Sequence, residues 1–153
     1  MNLLLNSQEL ELLSALNRHL AHYMVVGGHA VIFHGYLRPA KDLDLWIEPS
    51  IENAERVARA LSAVRVYLAP EHIARLSKPN LQMPIAGLYT ELLTSVKGLE
   101  FPLAIARSST ANEQGVPCTV IGLEDLLECK RLLGRESDLE DIRCLQEHQS
   151  NVG

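Results

Sequence analysis

Between Tyr23 and Glu48 the chain reads YMVVGGHAVIFHGYLRPAKDLDLWIE, and this stretch restricts the fold more than any other. A short apolar run, Met24-Val25-Val26, ends in Gly27-Gly28; a helix-like segment, Ala30-Val31-Ile32-Phe33, follows; the chain returns as Asp42-Leu43-Asp44-Leu45-Trp46-Ile47. That order predicts strand, glycine turn, helix, strand. Polar and apolar residues alternate in the returning run, so Asp42, Asp44, Trp46 and Glu48 are expected on one face and Leu43, Leu45 and Ile47 on the other. Carboxylates at i and i+2 on a strand lie about 6.5–7 Å apart and point the same way. Two such acids suit Mg²⁺, which takes one or two carboxylates together with substrate phosphates. Glycines let a backbone approach a ligand closely, and a helix start offers free N–H groups to an anion. The two halves together suit a triphosphate bridged by Mg²⁺.

These residues carry a resemblance. Gly27-Gly28, a spacer and Asp42-Leu43-Asp44-Leu45 resemble the signature of the polymerase-β-like nucleotidyltransferase superfamily. The fuller string VVGGHAVIFHGYLRPAKDLDLWI is similar to small bacterial nucleotidyltransferase-like proteins related to abortive-infection toxins, and GLEDLLECKRLLGRESDLEDIRCL is similar to their C-terminal part. The resemblance implies an α/β nucleotidyltransferase fold and transfer of a nucleoside monophosphate, from ATP or another nucleoside triphosphate, to a hydroxyl acceptor. That acceptor is a small molecule, a protein or an RNA end, and the toxin of a toxin–antitoxin pair is one role the resemblance implies. The resemblance also implies a third carboxylate on a neighbouring strand, where Glu91-Leu92-Leu93-Thr94 stands in place of the usual Asp-Leu-Leu-Thr. Asp42, Asp44 and Glu91 are then the catalytic set, holding two Mg²⁺ ions about 3.5–4 Å apart. Gly27, Gly28 and the N–H groups near His29 cradle phosphates, and Arg38 and Lys41 are candidates to neutralise their charge. Lys130 points toward them, while Asp138 and Asp141 fix the last helix through ion pairs.

Plainer readings stand beside these. Glu91 is otherwise an edge-strand acid, and Lys130 otherwise a solvated helix lysine. His29 and His34 are packing or phosphate contacts. His19 and His22, three apart on a helix, more often form a wet face than a metal site. Two hydroxyls common among relatives of this kind are missing, since Gly28 stands where Ser is usual and Ala40 where Thr is usual. A catalytically inactive nucleotidyltransferase-fold protein, binding a nucleotide or a protein as a regulator, is therefore the alternative function. No separate covering domain is visible, which leaves room for a homodimer or a protein partner to complete the cleft.

At 153 residues the chain fits one domain with its own core. A net charge of −5 gives no general attraction to nucleic acid. Cys118, Cys129 and Cys144 make neither a C-x-x-C pair nor an even set, so a disulfide framework and a zinc site are not indicated and a cytoplasmic location is expected. Neither a signal peptide nor a membrane span is expected.

The remaining elements follow from caps and periodicity. Asn6 and Glu9 predict a capping box on a helix to Ala21, and Ser50 caps a second helix carrying Ile51, Ala54, Val57 and Leu61. Val64–Leu68 reads as a short strand or helix tail, and a helical turn runs from Pro70 through Leu76. Ser77–Gly87, with two prolines, reads as loop, Leu88–Thr94 as strand, Phe101–Asn112 as ambiguous and Val116–Ile121 as strand. A helix from Gly122 to Leu133 ends at a Gly134 cap, and a last helix opens at Ser137 or Asp138. The total is a mixed sheet of four or five strands with helices mostly on one side.

Overall fold

A computed structural model describes residues 2–152. The N-terminal helix α1 (Ser7–Arg18) starts at the expected capping box: Asn6 accepts from the Glu9 N–H at 2.8 Å and Glu9 accepts from the Asn6 N–H at 2.9 Å. Its Leu12, Leu13 and Leu16 are buried. Strand β1 (Tyr23–Val26), buried along its whole length, runs directly into α2 (Gly27–Phe33). Strand β2 (Leu43–Ile47) pairs antiparallel with β1, placing Val26 opposite Asp44. An N–H donated to the Ser50 hydroxyl opens α3 (Ile51–Ala63), which packs beside α1 and buries Ala54, Val57 and Leu61. The fully buried Asn53 side chain ties that helix to the strands, accepting from the His22 N–H and donating to the carbonyls of His22 and Glu48. Each polar atom of this amide is thereby satisfied.

The rest of the chain adds α4 (Pro70–Arg75), β3 (Gln82–Ile85), β4 (Thr90–Leu93), α5 (Phe101–Ala106), β5 (Ser109–Glu113), β6 (Val116–Val120), α6 (Leu123–Leu133) and α7 (Glu136–Val152). The six strands form one mixed sheet in the order β3-β4-β2-β1-β6-β5. β2 with β4 and β1 with β6 are parallel, while β3 with β4 and β5 with β6 are antiparallel. The central β1 reads as an apolar run, as a strand covered on both faces does, and β2 does so apart from Asp44.

The mixed α/β class is as expected, and several details differ. The sheet has six strands rather than four or five. β3 lies inside the segment read as loop, because Pro84 lowers the strand signal; its position on the sheet edge is where a missing N–H is tolerated. The ambiguous Phe101–Asn112 segment divides into α5 and β5. Val64–Leu68 is neither strand nor helix, since Arg65 turns left-handed at φ 66° and ends α3. The second face of the sheet is also covered. Trp46 shares the face of Asp44 yet is buried, its indole meeting the Phe101 ring of α5 edge-on with centroids 5.2 Å apart. The period-two pattern thus gave the direction of Trp46 but not its environment. The Gly134 cap is present at φ 62°, and α7 opens at Glu136, one residue before the expected start. Among the described residues no helix is long and apolar enough to cross a membrane.

Candidate functional site

The site begins where β1 ends. Gly27 adopts φ +68°, a left-handed conformation open mainly to glycine, and a Cβ built there would fall on the carboxylate of Asp44. The turn is glycine because Asp44 lies against its backbone. Asp44 pairs in register with Glu91 of the parallel neighbour β4, so the two side chains stand on the same face in adjacent strands. Asp42 precedes β2 at a bend and is exposed. Burial, then the charges of Glu91 and Asp42, push the Asp44 carboxyl up to about 6, and the charges of His29 and Lys130 hold it from rising further.

Two cavities meet at this acid. The larger, about 410 Å³, has aliphatic walls including Leu93, Val96, Leu126 and Leu133, and polar groups at Asp44, Glu91 and Lys130. The smaller, about 290 Å³, is bounded by Gly27, Gly28, Arg38, Lys41, Asp42 and Asp44 on one side and by Asp138 and Asp141 on the other. Gly27, Asp44, Lys130 and Arg135 line both. A volume of about 300–1,000 Å³ with few polar groups among apolar ones is usual for small-molecule sites.

The basic residues are held by α7. Lys130, buried at 8% exposure, reaches Asp141 at 2.9 Å and Asp138 at 3.3 Å. Arg38 donates to both oxygens of Asp141, from Nε and Nη2, each at 2.9 Å. Arg135 donates from Nε to Asp138 at 2.6 Å. Burial alone would raise the two aspartates; their hydrogen bonds to these cations hold both below the ordinary 3.8. The same helix packs His148 against Gly35, whose φ of +120° and lack of a Cβ make room for the imidazole ring. It therefore grips the loop from Gly35 to Arg38 that leads into the acid strand.

Of the residues singled out from sequence, Gly27, Gly28, Arg38, Lys41, Asp42, Asp44 and Lys130 line the smaller cavity, and Glu91 joins Asp44 in the larger. The default reading of Lys130 as solvated is corrected: two aspartates desolvate and pair it. His29 lines neither cavity. Its Nδ1 donates to the Leu3 carbonyl at 2.6 Å and its Nε2 faces Glu9 at 3.6 Å, so the imidazole fastens the N-terminal segment rather than offering itself to a phosphate. Burial alone would lower its pKa; Glu9, the Leu3 carbonyl and the charge of Asp44 more than offset this and raise it. His34 donates to the Ile121 carbonyl at 2.7 Å and is likewise a packing residue. His22 pairs with Glu48 at 3.0 Å, not with His19.

The two absent hydroxyls share one place. A Cβ on Gly28 would stand 3.0 Å from the Ala40 Cβ. Their loss therefore alters one wall of the smaller cavity and leaves Asp44 and Glu91 untouched. Arg135 and the aliphatic wall were not assigned from sequence. For Arg135 the available signal was its place directly after the Gly134 cap, at the mouth of the last helix.

The donor set fits a hard divalent cation. Asp44 and Glu91 offer adjacent carboxylates whose mutual repulsion a cation would relieve, and Asp42 is within electrostatic reach. Among the described residues no three His, Cys, Asp or Glu side chains already converge as a metal cage. One or two carboxylates completed by substrate phosphates is the way Mg²⁺ is usually held.

The glycine geometry gives a direct test. Gly27→Ala is expected to lower unfolding stability by about 2–3 kcal/mol, combining left-handed backbone strain with displacement of Asp44. Gly28→Ala needs Ala40 to give by only a few tenths of an ångström and is expected to lose under about 1 kcal/mol. Urea unfolding of the two variants measures the difference; equal losses would show that Asp44 does not depend on the bare backbone at position 27.

No family model matches the chain, and no curated protein matches it.

Proposed function

We propose that the chain is a magnesium-dependent nucleotidyltransferase that moves a nucleoside monophosphate from a nucleoside triphosphate to a hydroxyl. The observation that carries this reading is Asp44: half-buried, pressed against a glycine backbone, beside Glu91, and unfavourable as an unliganded anion. Perturbed carboxylates in a cleft are a mark of functional sites. Asp42, Asp44 and Glu91 would hold the magnesium, which when bound supplies charge neutralisation of the phosphates and activation of the attacking oxygen. The acceptor oxygen bonds to the α-phosphorus, the bond from that phosphorus to the α–β bridging oxygen breaks, and pyrophosphate leaves with the electron pair. With the metal bound, Asp44 would be an ionised ligand, so the hydroxyl proton passes to solvent as the oxygen bonds to phosphorus. Gly27 and Gly28 leave room for phosphate oxygens, and the aliphatic wall offers an apolar surface to a nucleoside.

A nucleotide-binding regulator without turnover is the second reading, favoured by the missing hydroxyls at positions 28 and 40 and by the pairing of Lys130 and Arg38 with aspartates. Calorimetric titration with each of the four nucleoside triphosphates, with and without Mg²⁺, tests the shared premise. Binding is expected to require Mg²⁺ and to fall by at least about a hundredfold in Asp44→Ala. No binding under any condition would reject both readings, and binding with no transfer to any acceptor would favour the regulator.

A further inference from the structure

We propose that Arg135 is a ligand-contact residue of this site, its guanidinium taking the polyphosphate of the substrate where the two cavities meet; this rests on the triphosphate reading above. Four cations surround the smaller cavity, and their partners rank them. Arg38 is held at both nitrogens by Asp141, and Lys130 is buried between two aspartates. Lys130 cannot leave without taking a partner from both buried acids, and the Arg38 side chain is only 28% exposed. Lys41 borders the smaller cavity only.

Arg135 is likewise held at two nitrogens, Nε at 2.6 Å and Nη2 at 3.2 Å from the Asp138 oxygens, but it differs in place and exposure. It lines both cavities, and its side chain is 66% exposed. Its partner, Asp138, keeps other donors when the guanidinium leaves. One oxygen of Asp138 keeps the Arg135 backbone N–H at 3.1 Å, and the other keeps Lys130 at 3.3 Å. The guanidinium can therefore swing from Asp138 to a ligand while the carboxylate stays paired. The left-handed Gly134 and the start of α7 fix the Arg135 backbone, so only side-chain torsions change. A planar fork of donors matches phosphate oxygens, and of the two arginines at the smaller cavity Arg135 is the more exposed, at 66% against 28%.

The probe is magnesium tripolyphosphate, which carries the phosphates without a base. Calorimetric titration is run on the wild type, Arg135→Gln, Arg135→Lys and Asp44→Ala. Arg135→Gln is expected to bind at least about tenfold more weakly, as loss of a charged hydrogen bond implies, with its melting temperature lowered by only a few degrees as the exposed pair to Asp138 is lost. Arg135→Lys, which keeps the charge and loses the fork, falls between the two. Arginine labelling by phenylglyoxal, read by mass spectrometry on the wild type, should mark Arg135 in the free protein and spare it when the probe is bound. Arg59, exposed on α3, should react equally in both. Unchanged affinity in Arg135→Gln, or labelling of Arg135 that ignores the probe, overturns the assignment and leaves the Asp44 reading standing. Absence of probe binding in the wild type overturns both.

Discussion

Lys130→Met is expected to destabilise the fold by about 3 kcal/mol at neutral pH, lowering the melting temperature by about 6–12 °C. The methionine keeps most of the buried stem, so the loss isolates the charge. Lys130 lies between Asp138 and Asp141, which are 1% and 2% exposed. Removing one partner of a buried ion pair costs about 3–5 kcal/mol because the other charge is left without its match. The lower end applies here, since Asp141 keeps Arg38 and Asp138 keeps Arg135. The pH dependence fixes the cause. Both aspartates are held below 3.8, so they stabilise the folded state above the unfolded pKa and that stabilisation is lost as pH falls through their folded values. The gap between wild type and variant should therefore be full near pH 7 and close as pH falls below the ordinary 3.8 and on through the lowered folded values, where the aspartates become protonated and need no cation. Denaturant unfolding at several pH values measures it. A gap that stays constant into acid would mean that the stem of Lys130, not its ammonium, holds α7 in place.

This network also shows what could and could not be read from the chain. Alternation in Asp42–Ile47 placed Asp44 and Trp46 on one face, which the register with β1 and β4 bears out. Local periodicity has no access to what covers a face, so the burial of Trp46 under Phe101, 55 positions later, was not legible. Caps were legible because their chemistry is local: Asn6 with Glu9, Ser50, and Gly134 all act where expected. β3 was not, because Pro84 speaks against a strand unless its place at the sheet edge is already known. The environment of Lys130 needs α6 and α7 to meet, and the cavities need α6 to lie over β2 and β4. Those are long-range facts. The closeness of Gly28 to Ala40 is of the same kind: two separate departures in sequence are a single change in space.

Replacing Asp44 by asparagine is expected to stabilise the protein at neutral pH while removing the function proposed for it. Burial, Glu91 and Asp42 raise the Asp44 carboxyl from 3.8 to about 6. Between those values the folded chain binds more protons than the unfolded one, so stability falls as pH rises through that window. The deficit is complete above about pH 6 and absent below about pH 4. Two units of pKa correspond to nearly 3 kcal/mol; screening at a site open to solvent reduces this to about 1–2 kcal/mol. Asp44→Asn should thus melt about 3–6 °C above the wild type near pH 7 and level with it near pH 4. Adding Mg²⁺ with a triphosphate should reverse the order, because a ligand at a hundred times its Kd stabilises the wild type by about 2.7 kcal/mol and the variant by little. Scanning calorimetry across pH, with and without the ligand, reads both effects. An asparagine variant no more stable than the wild type near pH 7 would show that Asp44 is already satisfied within the fold, and the reason for assigning it to a cation would be gone. A variant stabilised in the neutral range alone would mean that the chain carries this carboxylate against its own stability, as sites that must bind something commonly do.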